Sequence, residues 1–293
     1  MSKSVYLFAY FVGNGLEGLR LAKSSDGRSW TDIADHFFIA PRGGLMRDPF
    51  ILQGPDKTFH LIWTTEWESR DIGYACSKDL VNWSEQKRLP VMEPIPGTRN
   101  CWAPEMIYDH ENETFLIYWA STVPGQFPDD ENTSESGYNH RIWSCTTSDF
   151  KSLSSPQVFF DLGFNVIDVT LTRDQFGEFR LIGKDERLNP EKKNLFVCEA
   201  STPYGPFSNP GEAFTDSWVE GPTTLKIDNW TYVYYDVYRE KRYEAKRTQD
   251  FKSWEDISHE VSFPHGARHG SIISLSAEEF GAIESKLRAS SAT

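Results

Sequence analysis

The amino-acid sequence predicts an all-β fold: a five-bladed β-propeller whose fifth blade is closed by both chain termini, with a short C-terminal helix. Three observations lead to this prediction: a strand-and-turn motif that recurs five times, apolar strands upstream of most copies, and an incomplete blade at each end of the chain. Propellers are built from blades of four strands, and a chain of 293 residues can form one as a single domain over residues 1–293.

The recurring motif consists of a short β-rich strand, a small polar turn and a bulky residue. Its copies are LRLAKSSDGRSW, IGYACSKDLVNW, RIWSCTTSDFKSL, LFVCEASTPYGPF and YEAKRTQDFKSW, which end at Trp30, Trp83, Leu153, Phe207 and Trp254. A spacing of roughly fifty residues, filled with short strands and with Gly, Asp, Asn and Pro turns, is typical of propeller blades. Each copy is therefore predicted to form the third strand of a blade and the turn into the fourth.

The segments before each copy complete the blades. Apolar segments such as TFHLIWTT and WTYVYYDV predict second strands, and short segments with an acid or a histidine beside small residues predict first strands. The first copy lacks a first strand, whereas ARHGSIISLS near the C-terminus resembles a first strand without a blade. Joining the two ends leaves no unpaired sheet edge in the ring. The predicted blades are 46–95, 100–160, 165–212, 217–262, and 266–275 combined with 1–40.

Two other segments stand out from the blades. Residues 121–140 form a polar insertion rich in Pro, Gly and Asn, and this long loop is predicted to arch over one face of the ring. The C-terminal segment predicts a helix, because Ser276 and Glu279 form a capping box. Its apolar residues Phe280, Ile283 and Leu287 lie on one helix face.

Composition limits the function classes. The net charge of −13 and the isoelectric point near 5.0 argue against a nucleic-acid partner. No apolar run reaches the length of a membrane span, and the four cysteines show no CxxC pair. The N-terminus lacks a signal-peptide cleavage pattern, which indicates either a cytoplasmic protein or a mature secreted form.

The predicted first strands carry five ionisable residues. Because first strands line the channel of a propeller, these side chains are expected to meet around one axis. They are Asp48, Glu105, Asp168, Glu220 and His269. Glycoside hydrolysis uses such an arrangement, since an inverting enzyme needs a carboxylate base and a carboxylic acid on opposite faces of the sugar. Glu220 is the candidate proton donor, because its apolar neighbours Trp218, Val219 and Pro222 are expected to favour its protonated form.

The succession RDPF, SKDLVNW, WAPE, VIDVT, EGP and RHGS resembles the pattern of glycoside hydrolase family 43, whose members are five-bladed propeller enzymes. The resemblance runs across nearly the whole chain. It implies that Asp48 is the general base, that Asp168 tunes and orients the acid, and that Glu220 is the general acid. It also implies that His269 lies in the central channel beside a water molecule or a calcium ion, and that Trp102 borders the sugar. The residue after Asp168 is valine, where many relatives have proline.

Other residues near the predicted ring have open roles. Glu105 is expected to be a structural acid or a hydrogen-bonding partner of the substrate. Arg47 and Arg268 either bind sugar hydroxyls or balance the acids. Tyr138 is expected to contact the sugar, although most propeller aromatics are packing residues.

The resemblance implies an inverting glycosidase, with α-L-arabinofuranosidase as the first choice and β-xylosidase and β-galactofuranosidase activities as alternatives. An exo mode is expected because the insertion at 121–140 can block one end of a groove and make it a pocket. The expected partner is an oligo- or polysaccharide with pentofuranosyl or pentopyranosyl residues. No cofactor is required by this chemistry, and a structural calcium ion in the central channel stays open. A non-catalytic carbohydrate-binding propeller is the alternative from a different class.

Overall fold

The computed structural model describes residues 4–34, 38–128 and 133–290. Its strands and its helix have the following bounds: β1 (Ser4–Val12), β2 (Arg20–Ser24), β3 (Thr31–Asp32), β4 (Arg47–Gln53), β5 (Phe59–Thr64), β6 (Ile72–Ser77), β7 (Lys87–Leu89), β8 (Trp102–Asp109), β9 (Thr114–Thr122), β10 (His140–Thr147), β11 (Gln157–Phe160), β12 (Val166–Arg173), β13 (Phe179–Asp185), β14 (Asn194–Ala200), β15 (Glu220–Ile227), β16 (Trp230–Val237), β17 (Arg242–Thr248), β18 (Glu255–Asp256), β19 (Ala267–Ser276) and α1 (Ala277–Ser290). Short 3₁₀ turns lie at Glu135–Gly137 and Ser258–Glu260.

The strands form five antiparallel sheets, and each sheet is one blade. Blade 1 is β4–β7, blade 2 is β8–β11, blade 3 is β12–β14, blade 4 is β15–β18, and blade 5 is β19 followed by β1–β3. The first strands β4, β8, β12, β15 and β19 contact one another around the ring. The predicted five-bladed propeller is therefore confirmed.

Both ends of the chain close the ring, as the sequence predicts. Strand β19 pairs with β1 from Ser4 opposite Ser276 to Val12 opposite Ala267. Gly270 allows the two backbones to approach closely, because a Cβ at this position would lie 1.9 Å from the carbonyl oxygen of Ala9. The C-terminal strand is thus the innermost strand of a blade that otherwise comes from the N-terminus.

Blade 3 differs from the prediction, because only three of the four expected strands form. The segment at 208–214 follows the edge of β14 through three backbone hydrogen bonds, from the N–H groups of Ser208, Gly211 and Phe214. A regular strand is not continued there, since Pro206 and Pro210 lack the N–H group that a ladder requires.

Every first strand contains a β-bulge at the same position. Regular pairing stops at one residue and resumes three residues later, so two residues on the first strand oppose one on the second. Pairing stops at Arg47, Trp102, Ile167, Glu220 and Arg268. The next residue has a positive φ in four of the strands: Asp48, Ala103, Asp168 and Gly221. The bulges place the motifs RDPF, WAPE, IDVT, EGPT and RHGS in equivalent positions around the axis.

Apolar clusters between successive blades form the core of the described residues. The helix α1 adds Phe280, Ile283 and Leu287 to the cluster between blades 5 and 1. The hydroxyl of Ser276 accepts a hydrogen bond of 3.2 Å from the backbone N–H of Glu279, and the carboxylate of Glu279 accepts one of 3.0 Å from the backbone N–H of Ser276, which confirms the capping box. No helix in the described ranges has the length and apolar character needed to cross a membrane.

Gly270→Ala is expected to destabilise the protein by about 3 kcal/mol, because the new methyl group overlaps the backbone of β1. Gly281→Ala in α1 is the matched control, since a Cβ there meets no atom within 4 Å. It should stabilise the helix by about 0.5–1 kcal/mol. Urea unfolding measures both changes, and equal effects of the two substitutions would contradict the tight closure of the ring.

Candidate active site

A cavity of about 450 Å³ opens where the first strands converge. Eight of the nine residues singled out in the sequence for catalysis, substrate binding or metal contact line it: Arg47, Asp48, Trp102, Tyr138, Asp168, Glu220, Arg268 and His269. Glu105 is outside this lining. It is buried, accepts a hydrogen bond of 3.0 Å from the hydroxyl of Tyr118, and burial raises its pKa to about 8. The structure therefore brings together the residues proposed to do the chemistry, with Glu105 buried beside them.

Asp48 is held as an ionised carboxylate. The hydroxyl of Thr64 donates a hydrogen bond of 2.8 Å to its Oδ2, and Nδ1 of His269 lies 3.4 Å from its Oδ1. Burial alone raises a carboxyl pKa, but the hydrogen bond and charge of His269, with the nearby Arg47, lower the pKa of Asp48 to about 2. Asp48 is consequently able to accept a proton at any ordinary pH.

His269 lies between two carboxylates. Its Nδ1 is 3.4 Å from Asp48 and 3.6 Å from Oδ2 of Asp168. Burial would lower the pKa of this imidazole, yet the charges of Asp168 and Asp48 raise it to about 9. The protonated ring therefore supplies a fixed positive charge between the two acids.

Asp168 connects the channel to the strand that carries Glu220. Its Oδ2 accepts a hydrogen bond of 3.0 Å from the backbone N–H of Gly221. Burial is the main cause that raises the pKa of Asp168 to about 6, and the charges of Glu220 and Asp48 add to it. The hydrogen bond to Gly221 fixes the backbone directly after Glu220, which is consistent with an orienting role.

Glu220 contacts two cations. Arg268 donates to its Oε1 at 2.9 Å, and Lys184 donates to its Oε2 at 3.2 Å. The sequence argument expected an apolar setting, and Val219 and Pro222 are indeed buried on either side. These neighbours surround the backbone, whereas the carboxyl group itself points to charged partners.

Four charged residues in the surroundings of Glu220 were missed in the sequence. Asp236 is fully buried and accepts a hydrogen bond of 2.6 Å from Nε of Arg268. Lys184 and Lys193 are also buried, and both contact Glu186, which lines the pocket with them. Lys184 and Asp236 pair with the residues at which the bulges of β12 and β15 begin, a placement that the sequence alone does not show. Thr64 holds the same position in β5.

Aromatic residues and the insertion form one wall of the pocket. Trp67 and Trp102 meet edge to face at 5.7 Å, and the guanidinium of Arg47 lies 4.5 Å from the ring of Trp67. Arg47 thus stacks on an aromatic ring beside the acids. Ser134, Ser136 and Tyr138 at the end of the insertion also line the cavity. The end of the insertion therefore lies at the pocket, while residues 129–132 lie outside the described residues and the arch stays a prediction.

The wall is tied down by hydrogen bonds. Nη1 of Arg99 donates to the carbonyl oxygen of Ser136 at 3.1 Å, and its guanidinium lies 4.0 Å from the ring of Tyr138. His140, which also lines the cavity, has its Nδ1 2.9 Å from Oδ1 of Asn165. The same Asn165 oxygen accepts from the His140 backbone N–H, so Nδ1 carries the ring proton and Nε2 is an acceptor with no hydrogen-bond partner among the described residues.

The donor set gives no support to a bound calcium ion. In the described ranges, no group of three or more His, Cys, Asp and Glu side chains is arranged to hold a metal ion. Asp48 and Asp168 are the nearest candidates, and the charged ring of His269 already lies between them. A calcium ion or water beside His269 therefore stays a prediction.

The pocket brings together carboxyl groups from different blades, an arrangement that carbohydrate-cleaving enzymes of the two-carboxylate class use. A family model described as "Probable glycosyl hydrolase domain", related to glycoside hydrolase family 43, matches residues 3–281. The chain belongs to this family of glycosyl hydrolases. Family membership disfavours the non-catalytic alternative.

Similar proteins agree with this assignment. An α-L-arabinofuranosidase of Bifidobacterium longum subsp. longum is 23% identical over 230 residues, which cover 64% of this chain. The match spans only 21% of that longer relative. A thermostable family-43 glycoside hydrolase of known structure has a TM-score of 0.58 at 19% identity, with 79% of this chain and 80% of that chain covered. An exo-β-1,3-galactanase of Clostridium thermocellum has a TM-score of 0.54 at 14% identity, with 74% and 48% covered.

His269→Gln is expected to remove a pH-dependent contribution to stability. Because the folded-state pKa of His269 is raised to about 9, its stabilising contribution is complete below the unfolded value near 6.5 and is lost as pH rises through 9. The difference in free energy of unfolding between wild type and variant should therefore shrink by on the order of 3 kcal/mol between pH 6 and pH 10. Urea unfolding at both pH values measures it, and an unchanged difference would show that His269 is neutral in the folded protein.

Proposed function

We propose that the protein is an inverting, exo-acting α-L-arabinofuranosidase. The observation that carries the proposal is the contrast between Asp48 and Glu220, two carboxyl groups that line one pocket from different blades. Thr64 and His269 keep Asp48 ionised, which suits a base that removes a proton from water. Glu220 on β15 is the acid that protonates the leaving oxygen.

The other polar residues of the pocket support these two roles. Asp168 orients the strand of Glu220 through the N–H of Gly221, and Arg268 holds one oxygen of the Glu220 carboxyl. In an inverting reaction, water adds to the anomeric carbon while the glycosidic C–O bond breaks. The water proton passes to Asp48, and the proton of Glu220 passes to the departing oxygen.

The choice of sugar and of the exo mode has separate support. The Bifidobacterium relative is named an α-L-arabinofuranosidase, which favours a terminal arabinofuranosyl residue. The wall formed by Ser134, Ser136 and Tyr138 narrows one side of the pocket, and this favours an end of a chain over its middle. β-Xylosidase and β-galactofuranosidase activities are the alternatives, and the substrate is then a different terminal sugar in the same pocket.

Activity on aryl glycosides tests the substrate and the roles of the two acids. Wild type should hydrolyse p-nitrophenyl α-L-arabinofuranoside faster than the β-D-xyloside and the β-D-galactofuranoside. Asp48→Asn and Glu220→Gln should each reduce kcat/KM by about 10³-fold, because each removes one proton-transfer group. Glu111→Gln, an exposed acid outside this pocket, is the control and should leave the rate unchanged. Cleavage of none of the three glycosides, or full activity of either pocket variant, contradicts the proposal.

The stereochemical course tests inversion separately. Proton NMR during the first minutes of hydrolysis should detect the β-anomer of the released arabinose from the α-linked substrate. An initial α-anomer would indicate a double displacement and would rule out a base role for Asp48.

A further inference from the structure

The carboxyl group of Glu220 lies in the middle of a row of six side chains with alternating charge. The order is Asp236, Arg268, Glu220, Lys184, Glu186, Lys193. The joining distances are 2.6, 2.9, 3.2, 2.8 and 2.5 Å. Each inner member therefore contacts one opposite charge on either side, and the row crosses from blade 4 and β19 into blade 3.

Burial makes this row more than a set of surface ion pairs. The side chains of Lys184 and Lys193 are each only 2% exposed, and that of Asp236 is 0% exposed. A buried ammonium group without a partner is costly, so Lys184 must keep at least one carboxylate at all times. The charges of Glu186, Glu220 and Asp168 outweigh burial and hold the pKa of Lys184 well above its ordinary value. Lys184 is therefore a permanent cation beside Glu220.

Arg268 and Lys184 contact different oxygens of Glu220. Arg268 donates to Oε1 and Lys184 to Oε2, so the plane of the carboxyl group is fixed from both sides. Arg268 has a second carboxylate in Asp236, and Lys184 has a second carboxylate in Glu186. Either cation can weaken its contact with Glu220 without becoming unpaired. Each cation therefore keeps a carboxylate partner if Glu220 gives up its charge during a reaction.

We propose that Lys184 is a positioning residue for the general acid, and that Glu186 and Lys193 hold Lys184 in place. This inference rests on the proposed role of Glu220. Before the reaction, the protonated Glu220 is oriented by Arg268 while Lys184 is paired mainly with Glu186. The O–H proton then passes to the glycosidic oxygen, which takes the electron pair of the broken C–O bond. The Glu220 carboxylate that remains is stabilised by Lys184 at Oε2.

The dependence of rate on the leaving group tests this role. A poor leaving group needs a proton from the acid, whereas a good one departs with little assistance. Lys184→Met should therefore reduce kcat/KM about 100-fold for a phenyl glycoside but less than about 10-fold for the 2,4-dinitrophenyl glycoside of the same sugar. Glu186→Gln should change the ratio of the two rates in the same direction by a smaller factor, because it loosens Lys184 without removing it.

A matched lysine separates positioning from general structural damage. Lys246 is half-buried on β17 and donates a hydrogen bond of 2.8 Å to the carbonyl oxygen of Phe214, outside the row. Lys246→Met should leave the ratio of the two rates at the wild-type value even if it lowers the midpoint of unfolding. An equal loss on both substrates in Lys184→Met would overturn the proposal and leave Lys184 a purely structural residue.

A crystal structure of a Lys184 variant gives a result that does not depend on any substrate. In Lys184→Met, the Glu220 carboxyl group should rotate away from its present orientation and retain only the contact with Arg268. If the variant does not fold, Glu186→Gln serves in the same experiment. An unmoved Glu220 carboxyl group contradicts the inference even if the sugar has been assigned wrongly. Absence of all glycosidase activity in wild type would instead contradict the proposed function.

Discussion

The pairing of β19 with β1 is the contact on which both the ring and its pocket depend. It joins the last strand of the chain to the first, so blade 5 exists only when both ends are in place. The same strand carries Arg268 and His269 into the pocket, where they contact Glu220, Asp48 and Asp168. Closure of the sheet and completion of the site are therefore one event. A chain with an open ring loses its two central cations together with the last strand.

The five bulges explain how one architecture supplies different chemistry from each blade. Their register makes Asp48, Asp168 and His269 equivalent, and these three residues meet at the centre of the pocket. Glu220 occupies the preceding position and Glu105 a later one, so the five ionisable residues do not form one level ring. Side chains at different positions in the bulge project differently, and this separates Glu220, the proposed acid that lines the pocket, from the buried Glu105.

Much of this molecule could be predicted from particular sequence features. The repeated strand-and-turn motif and the two incomplete ends predicted the blades and their closure, because each copy marks an equivalent place in a repeating sheet. The missing fourth strand of blade 3 was not predicted, since Pro206 and Pro210 occur in a segment that otherwise has the right length. Lys184 and Asp236 were also missed. Each is the second-last residue of an apolar second strand, and only the pairing with a first strand across the sheet shows that it lies beside the bulge of that strand.

The cations that contact Glu220 in the structure give a different physical reason for its proposed role than its apolar neighbours in the sequence do. Apolar flanks alone would make a carboxyl group neutral and leave its charged form unsupported after proton transfer. In the structure, Arg268 donates a hydrogen bond to one carboxyl oxygen of Glu220, and Lys184 donates one to the other. Arg268 also pairs with Asp236, and Lys184 also pairs with Glu186. Arg268 and Lys184 support the carboxylate that the proposed general acid becomes after proton transfer, which an apolar pocket does not do. The contrast with Asp48, which is held in one state by Thr64 and His269, follows from the different task of a base that starts each cycle ionised.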